Sequence, residues 1–484
     1  MTHSNTRTSS RIKTESDIGS IGVDHMNIAE MDKKGAKIQR MYFELAIPLV
    51  CSMVVTLIYN VADTYFVAAS GNTNLIAGVS LGAPVLTLLM AVGNVYGQGG
   101  SSLISRLIGK NDIKAVREAS ADCFYLSVLS GIVLGAIMLV FLQPIVYMLG
   151  ADSETYIYAS QYYRWLSIGA PFIILSFVVS NLLRSEGRSR QSMAVSISGV
   201  VINIILDPIF ITVLGLGAAG AAMATVIGYV VMDVYGLWIV AGKSTLLSLN
   251  PADLKTGGRH LGPIYTVGIP AAITNVMHTI SQIFVNQFLQ GYGNDKIAAM
   301  GIALKVALIV TLIMTGLAFG GLPIFGYYYG AGNKKRFMEL TRFCIKFICI
   351  TAACMSAVIF AAAPMLIRFF VEDESLILSG TLMLRCMVPT MAFGGLVMQI
   401  QLIFQSMGKV KQMFSLSISR QGVVYLVVLF IASRLAGYYG ILISQAISDI
   451  ISGGIAVTMF LLWRKNYLEG EQLVQKHRSC SSLT

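Results

Sequence analysis

Residues 204–211 are Ile-Ile-Leu-Asp-Pro-Ile-Phe-Ile, and Asn203 comes directly before them. This stretch places the carboxylate of Asp207, with an amide one helical turn earlier, inside an apolar run long enough to cross a membrane. An ionisable side chain in hydrocarbon is costly, so it persists only with a partner, a water-filled cavity or a functional role. Asp207 therefore indicates both the environment of the chain and the position of its functional site.

The composition of the whole chain identifies its class. Of 484 residues, 55% are hydrophobic and 12% are charged, whereas about 25% of the residues of a soluble globular domain are charged. The mean hydropathy is +0.71. These values predict an all-α polytopic membrane protein. The net charge of +11 lies in short clusters between apolar runs, so it indicates membrane topology and not a nucleic-acid partner.

The seven cysteines do not indicate a disulfide or metal site. Nearly all of them lie inside apolar segments, no CxxC pair occurs, and no histidine has the spacing of a metal ligand. We therefore expect neither a disulfide framework nor a bound metal.

Twelve segments are long and apolar enough to cross a bilayer as helices, which takes about 20 residues each. Basic clusters precede the first span and follow every second one, whereas the alternate loops are short and neutral or acidic. The positive-inside rule then predicts a multi-pass protein of the plasma membrane with both termini in the cytoplasm. The predicted spans lie near residues 41–69, 75–105, 121–148, 156–183, 192–214, 218–240, 263–290, 297–329, 343–370, 376–405, 413–433 and 439–463.

The two halves of the chain repeat each other. Ile47-Pro48 recurs as Ile269-Pro270, and residues 184–191 match residues 405–412. Because each copy has six spans, both copies insert with the same topology and should be related by an axis along the membrane normal. The predicted organisation is a flexible cytoplasmic tail (1–36), a six-helix bundle (37–242), a cytoplasmic linker (243–262), a second pseudo-symmetric six-helix bundle (263–465) and a second tail (466–484).

Several motifs occur in a fixed order along the chain. They are Ile-Pro at 47 and 269, Asn-Val-Ala-Asp-Thr-Tyr-Phe-Val at 60–67, Ser-Arg-Leu-Ile-Gly at 105–109, Asn-Ile-Ile-Leu-Asp-Pro at 203–208 and Tyr-Gly-Ala-Gly-Asn at 329–333. With them the chain resembles the multidrug and toxic compound extrusion (MATE) family of transporters, in particular its DinF/MepA-type branch, over about residues 37–464.

Four oxygen-bearing side chains of the first bundle fall at one depth. At 1.5 Å per residue, Asp63 lies about 9 Å and Asp207 about 10 Å below the outer ends of spans 1 and 5. Asn203 stands one turn deeper on the face of Asp207, and Thr225 on span 6 falls about 10 to 12 Å below the same surface. Carboxylate, amide and hydroxyl oxygens suit Na⁺, and a carboxylate withdrawn from water takes up H⁺ more readily.

The resemblance implies the same four residues. MATE proteins of this branch are thought to couple transport to an ion through an acidic residue on helix 1 and an Asn/Asp/Thr set on helices 5 and 6. A structural role is the alternative at each position: Asp207 or Asp63 could bond a neighbouring hydroxyl group, and lone Asn and Thr residues often hold membrane helices together.

Tyr59, Met277, His278 and Gln282 are our candidates for contacts to a transported substrate. Aromatic faces attract organic cations, and flexible thioethers adapt to varied apolar ligands. His278 could equally be a satisfied core residue; it stands at about the position where another MATE branch carries a functional Glu.

The remaining charges within the spans have structural interpretations. Lys305 and Asp449 both fall near mid-depth, and we expect them to form an ion pair. Asp122 and Asp233 lie towards the cytoplasmic ends of their spans, and we expect them to reach the membrane interface.

The hypothesis that these observations favour is a secondary active multidrug exporter and not an enzyme. It would antiport amphipathic, often cationic organic compounds out of the cell against H⁺ or Na⁺ entry by alternating access. We expect no cofactor besides that ion, and a monomer in the lipid bilayer. One alternative is a flippase for a lipid-linked oligosaccharide, of a related two-bundle fold, which would need a large cationic cavity. A polytopic membrane enzyme is disfavoured by the short loops, and ATP-driven transport by the absence of a P-loop sequence.

Overall fold

The computed structural model describes residues 28–69, 71–256, 259–371 and 373–481, and no strand occurs among them. Two π-helical turns, Ile209–Val213 and Ser419–Val423, and two 3-10 turns, Pro251–Thr256 and Val388–Thr390, interrupt the α-helices. The all-α fold predicted from the sequence is confirmed. The α-helices are α1 (Ile28–Lys33), α2 (Ile38–Ala69), α3 (Thr73–Leu81), α4 (Ala83–Gly109), α5 (Ile113–Val140), α6 (Leu142–Met148), α7 (Tyr156–Ser185), α8 (Ser189–Pro208), α9 (Gly217–Lys243), α10 (Leu261–Gln290), α11 (Asn294–Gly330), α12 (Lys334–Arg368), α13 (Glu374–Met387), α14 (Met391–Met407), α15 (Val410–Ile418) and α16 (Val424–Ser481).

These helices supply the twelve predicted spans. Ten helical stretches of the described chain are long and apolar enough to cross a membrane, and the last of them covers Val410–Tyr467. It counts as two spans, because Gly437 leaves the helical conformation (φ 54°, ψ −128°) and Gly440 folds back against Ala432. The twelfth span is α10, whose 30 residues would extend about 45 Å.

Matching loops of the two halves share their backbone conformation. Gly187 and Gly408, 221 residues apart, have φ angles of 95° and 71°, and Asn111 and Gly332 have 58° and 68°. Glycine adopts this left-handed region without strain, and Asn tolerates it better than most residues. The internal repeat is therefore structural as well as a matter of sequence.

Asp152 and Asp373 precede α7 and α13 at equivalent positions of the two halves. The Asp152 carboxylate accepts backbone N–H groups of Thr155 at 2.8 Å and of Glu154 at 3.0 Å. That of Asp373 accepts those of Ser375 at 2.8 Å and of Leu376 at 3.3 Å. These hydrogen bonds hold the pKa of both carboxyl groups below its usual range, because they favour the ionised form. Acidic residues of the short loops thus also fix where two spans begin.

The predicted flexible tail at 1–36 does not hold for its described part. In α1, Ile28 is 2% and Met31 is 6% exposed. Asp32 forms an ion pair with Arg336 of α12 at 2.7 Å and accepts the Tyr328 hydroxyl of α11 at 3.0 Å. The correction arises because a short amphipathic segment buries its apolar side against the second bundle. Residues 1–27 lie outside the described residues.

The other predicted tail, 466–484, continues α16 as far as Ser481. Tyr467 stacks on Trp463, with ring centroids 4.7 Å apart, and on Tyr329 at 6.3 Å. Helix α1 and Tyr467 therefore pack at one face of the molecule, near the end of α11. We call it the terminal face and the opposite side the far face.

Three pairs of helices make most of the contact between the bundles: α2 with α11, α4 with α10 and α4 with α11. Gly320 lies against Ala46, and Gly268 against Val95, with no room for a Cβ atom at either glycine. The glycines of α4, α10 and α11 that make such contacts between the bundles lie in the halves of these helices nearest the terminal face, and Gly408, directly after α14, lies against Arg106. Close backbone approach therefore seals the molecule on that side.

Candidate functional site

The polar residues of α8 lie just before a break in the helix. Pro208 has no N–H group, so a regular hydrogen-bond ladder cannot continue, and a wider π-helical turn follows. Asp207 is 0% and Asn203 3% exposed, whereas Ile205 is 52% exposed. The helix therefore turns its polar face into the first bundle and its apolar face outwards, as expected towards lipid.

Asn203 meets Thr225 between α8 and α9. The Asn203 Nδ2 atom donates to Thr225 Oγ1 at 3.4 Å, and the Thr225 hydroxyl donates to the Ala221 carbonyl at 3.0 Å. Asn203 Oδ1 and both carboxylate oxygens of Asp207 are buried and have no hydrogen-bond partner among the described residues. Such atoms are rare in folded proteins, so three oxygens within one helical turn are left for a ligand.

Asp63 of α2 completes the predicted set. Its side chain is half-buried and close enough to Asp207 for the two charges to interact. The structure thus brings together all four predicted residues, from α2, α8 and α9, and we call Asp63, Asn203, Asp207 and Thr225 the Asp207 group. That they couple transport to an ion stays a prediction.

Three tyrosines surround the Asp207 group. Tyr59, which we predicted as a substrate contact, lies within interaction range of Asp63, Thr225, Tyr162 and Tyr229. The sequence analysis missed Tyr162 and Tyr229. Tyr229 stands one turn after Thr225 and could have been found by that spacing, whereas nothing local distinguishes Tyr162 among the 21 tyrosines. Their rings offer faces that attract organic cations.

The Asp207 group has the chemistry of a site for protons or hard cations. Carboxylate, amide and hydroxyl oxygens suit H⁺ and Na⁺ better than soft transition metals. Among the described residues, no three or more His, Cys, Asp or Glu side chains are placed to hold a metal ion. Two carboxylates next to aromatic rings could also attract a cationic organic compound, so ion and compound could compete for one place.

The other predicted substrate contacts belong to the second bundle. His278 of α10 is exposed, and its charge interacts with that of Arg420. Met277 lies beside Gly422, and Gln282, one turn after His278, is half-buried. Tyr59 therefore accompanies the Asp207 group, whereas the three α10 residues accompany Arg420.

Asp449 pairs with Arg420 and not with Lys305, so our prediction was wrong. Arg420 Nε donates to Asp449 Oδ1 at 3.0 Å, and Gln445 Nε2 donates to the same oxygen at 3.2 Å, while Lys305 is exposed. We missed Arg420 as a deep basic residue because it follows a serine-containing stretch soon after the basic loop at 409–411. The physical reason for the pairing is that Asp449 is buried and needs the cation that reaches it from the adjacent span.

Asp122 and Asp233 are also more buried than we predicted. They are 3% and 2% exposed, so both carboxylates are enclosed by protein; that they lie at the depth of the membrane interface stays a prediction. Both carboxylate oxygens of Asp233, one turn after Tyr229, lack a hydrogen-bond partner among the described residues.

The glycine contacts between the bundles lie towards the terminal face, and we call the space between the bundles on the far side the cleft. Gly268 of α10 touches the first bundle, but His278, three turns further along α10, is exposed. The bundles therefore diverge towards the far face. Asp63 lies near the far end of α2. The first bundle therefore contains the carboxylates of the Asp207 group, whereas the second contains the guanidinium group of Arg420 beside His278.

Comparison with known proteins agrees with this architecture. The model of the MatE family matches residues 48–209 and again residues 270–431. The two matches fall on equivalent parts of the two halves, each beginning at the proline of an Ile-Pro motif and covering five of six spans.

Proteins of similar sequence include two described as "Multidrug export protein MepA". That of Staphylococcus haemolyticus (strain JCSC1435) is 30% identical over 423 residues, 87% of this chain and 92% of its own. That of Staphylococcus aureus (strain NCTC 8325 / PS 47) is 30% identical over 425 residues, 88% of this chain and 93% of its own.

Similar solved structures cover nearly the whole described fold. "Crystal structure of MATE in complex with MaL6" has a TM-score of 0.85 at 25% identity and covers 90% of this chain and 98% of that one. "Outward-facing conformation of a multidrug resistance MATE family transporter of the MOP superfamily" has a TM-score of 0.84 at 25% identity and covers 90% of this chain and 97% of that one. A MOP superfamily transporter from Pyrococcus furiosus Vc1 (DSM3638) has a TM-score of 0.83 at 26% identity, and the match covers 89% of this chain and 96% of that one.

Proposed function

Because the chain belongs to the MatE family of multidrug and toxic compound extrusion transporters, we propose that it exports amphipathic, often cationic organic compounds in exchange for H⁺ or Na⁺. The family is one of membrane transporters and not of enzymes. Export of drugs is what the names of the two MepA relatives state. We place the terminal face in the cytoplasm, by the positive-inside rule.

Our proposal for the coupling site rests on one observation. Asp207 is fully buried, neither of its oxygens has a partner among the described residues, and the unpaired amide oxygen of Asn203 lies one turn away. An uncompensated carboxylate in such a place is too costly to keep without a ligand that neutralises it. A proton or a sodium ion would do so, with the oxygens of Asn203 and Thr225 as further ligands for Na⁺.

The transport cycle follows from competition within the cleft. With the far face open, an outside ion reaches Asp63 and Asp207 and neutralises the carboxylates, which weakens their hold on a cationic compound. Closing of the far face and opening of the terminal face then release the ion into the cytoplasm, where a new compound binds the ionised site. Each ligand changes the affinity of the other by the same factor, so the ion gradient drives export.

Charge balance sets a condition on this exchange. One charge crossing 100 mV is worth about 2.3 kcal/mol, or roughly a 50-fold gradient. One H⁺ entering for one monovalent cation leaving moves no net charge, so the membrane potential would add nothing. Two carboxylates within interaction range of each other would allow two ions to enter per compound.

The flippase alternative gains no support from the cleft. It would require a concentration of basic side chains for a pyrophosphate group, whereas the single arginine Arg420 stands beside the carboxylate of Asp449 and the first bundle carries Asp63 and Asp207. We therefore retain drug and ion exchange as the proposed function.

The decisive experiment is ethidium efflux from proteoliposomes under an imposed pH gradient and, separately, an imposed Na⁺ gradient. We expect efflux by the wild type to follow one gradient and to be lost in Asp207→Asn and in Asp63→Asn, because an amide carries no charge for the ion to neutralise. Asp295→Asn is the matched control, since Asp295 is half-exposed in a loop-proximal ion pair, and it should keep wild-type efflux. Gradient-driven efflux in both site variants would refute the coupling site.

A further inference from the structure

Arg420 lies in an irregular turn in the middle of a membrane span. The π-helical turn Ser419–Val423 separates α15 from α16, and Gly422 within it has non-helical angles (φ −124°, ψ −106°). Irregular backbone at membrane depth is tolerated only where it is buried in protein or lines a water-filled cavity, and π-turns are frequent at functional sites. This turn places Arg420 next to the exposed His278 of α10.

The Nε atom of the Arg420 guanidinium group is hydrogen-bonded, whereas its two terminal nitrogens are not bonded to any described residue. Its Nε atom donates to Asp449 Oδ1, and the side chain of Asp449 is 3% exposed against 23% for that of Arg420. Gln445 donates to the same Asp449 oxygen, which fixes the carboxylate. The two terminal nitrogens of Arg420 make no hydrogen bond within the described chain. A guanidinium group fixed along one edge keeps its end-on edge free for a second carboxylate.

The second bundle is shaped for this guanidinium group. A Cβ atom at Gly394 of α14 would collide with Arg420 Nη2, and its next nearest neighbour would be Arg420 Cζ at 3.0 Å. Glycine at this position therefore leaves the space that the guanidinium group occupies.

The first bundle has no such pair. The residues 221 positions earlier than Arg420 and Asp449 are Gly199 and Gly228, and there the two helices touch: a Cβ at Gly228 would lie 2.9 Å from the Gly199 carbonyl oxygen. If the pair served only to pack these two spans, the glycine contact shows that the fold can do so without charge. Packing of the two spans therefore does not account for the Arg420–Asp449 pair, which only the second bundle carries at this position.

We propose that the end-on edge of Arg420 is an anion subsite that binds the carboxylate of zwitterionic amphipathic compounds. This inference rests on the proposed export function and narrows it: the cleft takes compounds that carry both charges as well as plain cations. His278 and Gln282, on the wall beside Arg420, would flank the carboxylate, and Met277 its apolar part.

A matched pair of dyes tests the subsite. Rhodamine B is zwitterionic, and its ethyl ester has the same cation without the carboxylate. In proteoliposomes, Arg420→Gln should raise the half-saturating concentration for rhodamine B about tenfold or more, as expected for a lost charge-assisted contact. The half-saturating concentration for the ethyl ester should change less than about threefold. Lys305→Gln is the control, because it removes an exposed positive charge from the same bundle.

A second variant separates binding from folding. Gly394→Ala keeps every charge but pushes the guanidinium group out of its place, so it too should weaken transport of rhodamine B and spare the ester. Equal losses for both dyes in the two variants would mean that Arg420 only holds the bundle together, and unchanged rhodamine B transport would mean that the carboxylate binds elsewhere; either result overturns the subsite. If the wild type moved neither dye nor ethidium, the proposed function itself would fail, and the subsite with it.

Discussion

Thr225 shows how much a single hydroxyl group can contribute to the Asp207 group. Its proton is donated to the Ala221 carbonyl, so its oxygen can only accept. It accepts a hydrogen bond from Asn203 Nδ2 and thereby orients the amide, whose buried Oδ1 atom has no partner within the described chain. Thr225 therefore both offers a ligand oxygen and orients a second one.

Thr225→Val should separate this role from simple packing. The isosteric valine removes the oxygen and leaves Asn203 unheld, so we expect the ion concentration for half-maximal ethidium efflux to rise about 5- to 30-fold, as for the loss of one or two buried hydrogen bonds. Thr225→Ser keeps the hydroxyl and should stay close to wild type. Equal behaviour of the two variants would show that the hydroxyl does not take part in ion binding.

The sequence was sufficient to place the Asp207 group but not its surroundings. Depth along a span follows from the rise per residue, so Asp63, Asp207 and Thr225 could be aligned without a structure. Tyr162 and Arg420 could not be placed, because their position depends on how helices distant in sequence pack against each other. For the same reason Asp449 was given the wrong partner.

At the scale of the helix, breaks position the functional residues. One break follows Asp207 at Pro208, and another contains Arg420 at Ser419–Val423. Gly437 marks a third, where the chain turns back between the last two spans. The sequence indicated a gap between spans at 434–438, but the angles that Gly437 adopts follow from the close approach of Gly440 to Ala432 and could not be predicted.

Gly437→Ala should therefore destabilise the protein. Its φ of 54° with ψ of −128° lies in a region that side chains other than glycine essentially do not enter, at a cost of about 1–3 kcal/mol. We expect a lower Tm in detergent, measured by thermal unfolding, with transport of ethidium per folded molecule little changed. Gly454→Ala, in the same helix with open space at its Cβ position, is the control. An equal Tm for both variants would show that alanine is not strained at the backbone angles of Gly437.

At the scale of the whole molecule, the repeat creates a symmetric closure. Gly109 ends α4 and lies against Tyr327 and Ala331, while Gly330 ends α11 and lies against Arg106. These glycines are 221 residues apart, so each half presents the same surface to the other. The sequence predicted the repeat but not this reciprocal contact, because it depends on how the bundles dock.

Gly330→Ala should loosen the terminal face. Its Cβ would meet backbone atoms of Arg106, which cannot move aside as a flexible side chain can. We expect the distance between spin labels at positions 110 and 409 to shift to longer values and the efflux of ethidium to fall. Gly301→Ala, in the same helix with nothing near its Cβ position, should leave the distance between the labels and the ethidium efflux unchanged. An unaltered distance distribution in Gly330→Ala would show that this contact does not keep the face closed.

The short helix α1 belongs to the first bundle by chain connection and to the second by contact. It leads directly into α2, but Asp32 is held by Arg336 and Tyr328. The five steps from Lys33 to Ile38 can extend to roughly 17 Å. While the Asp32 ion pair lasts, this segment limits how far α2 can move from α12, and Arg336 Nη1 also donates to the Ala36 carbonyl at 3.3 Å. The terminal face can open only until the segment is fully extended, and a wider opening must first release α1 from the second bundle.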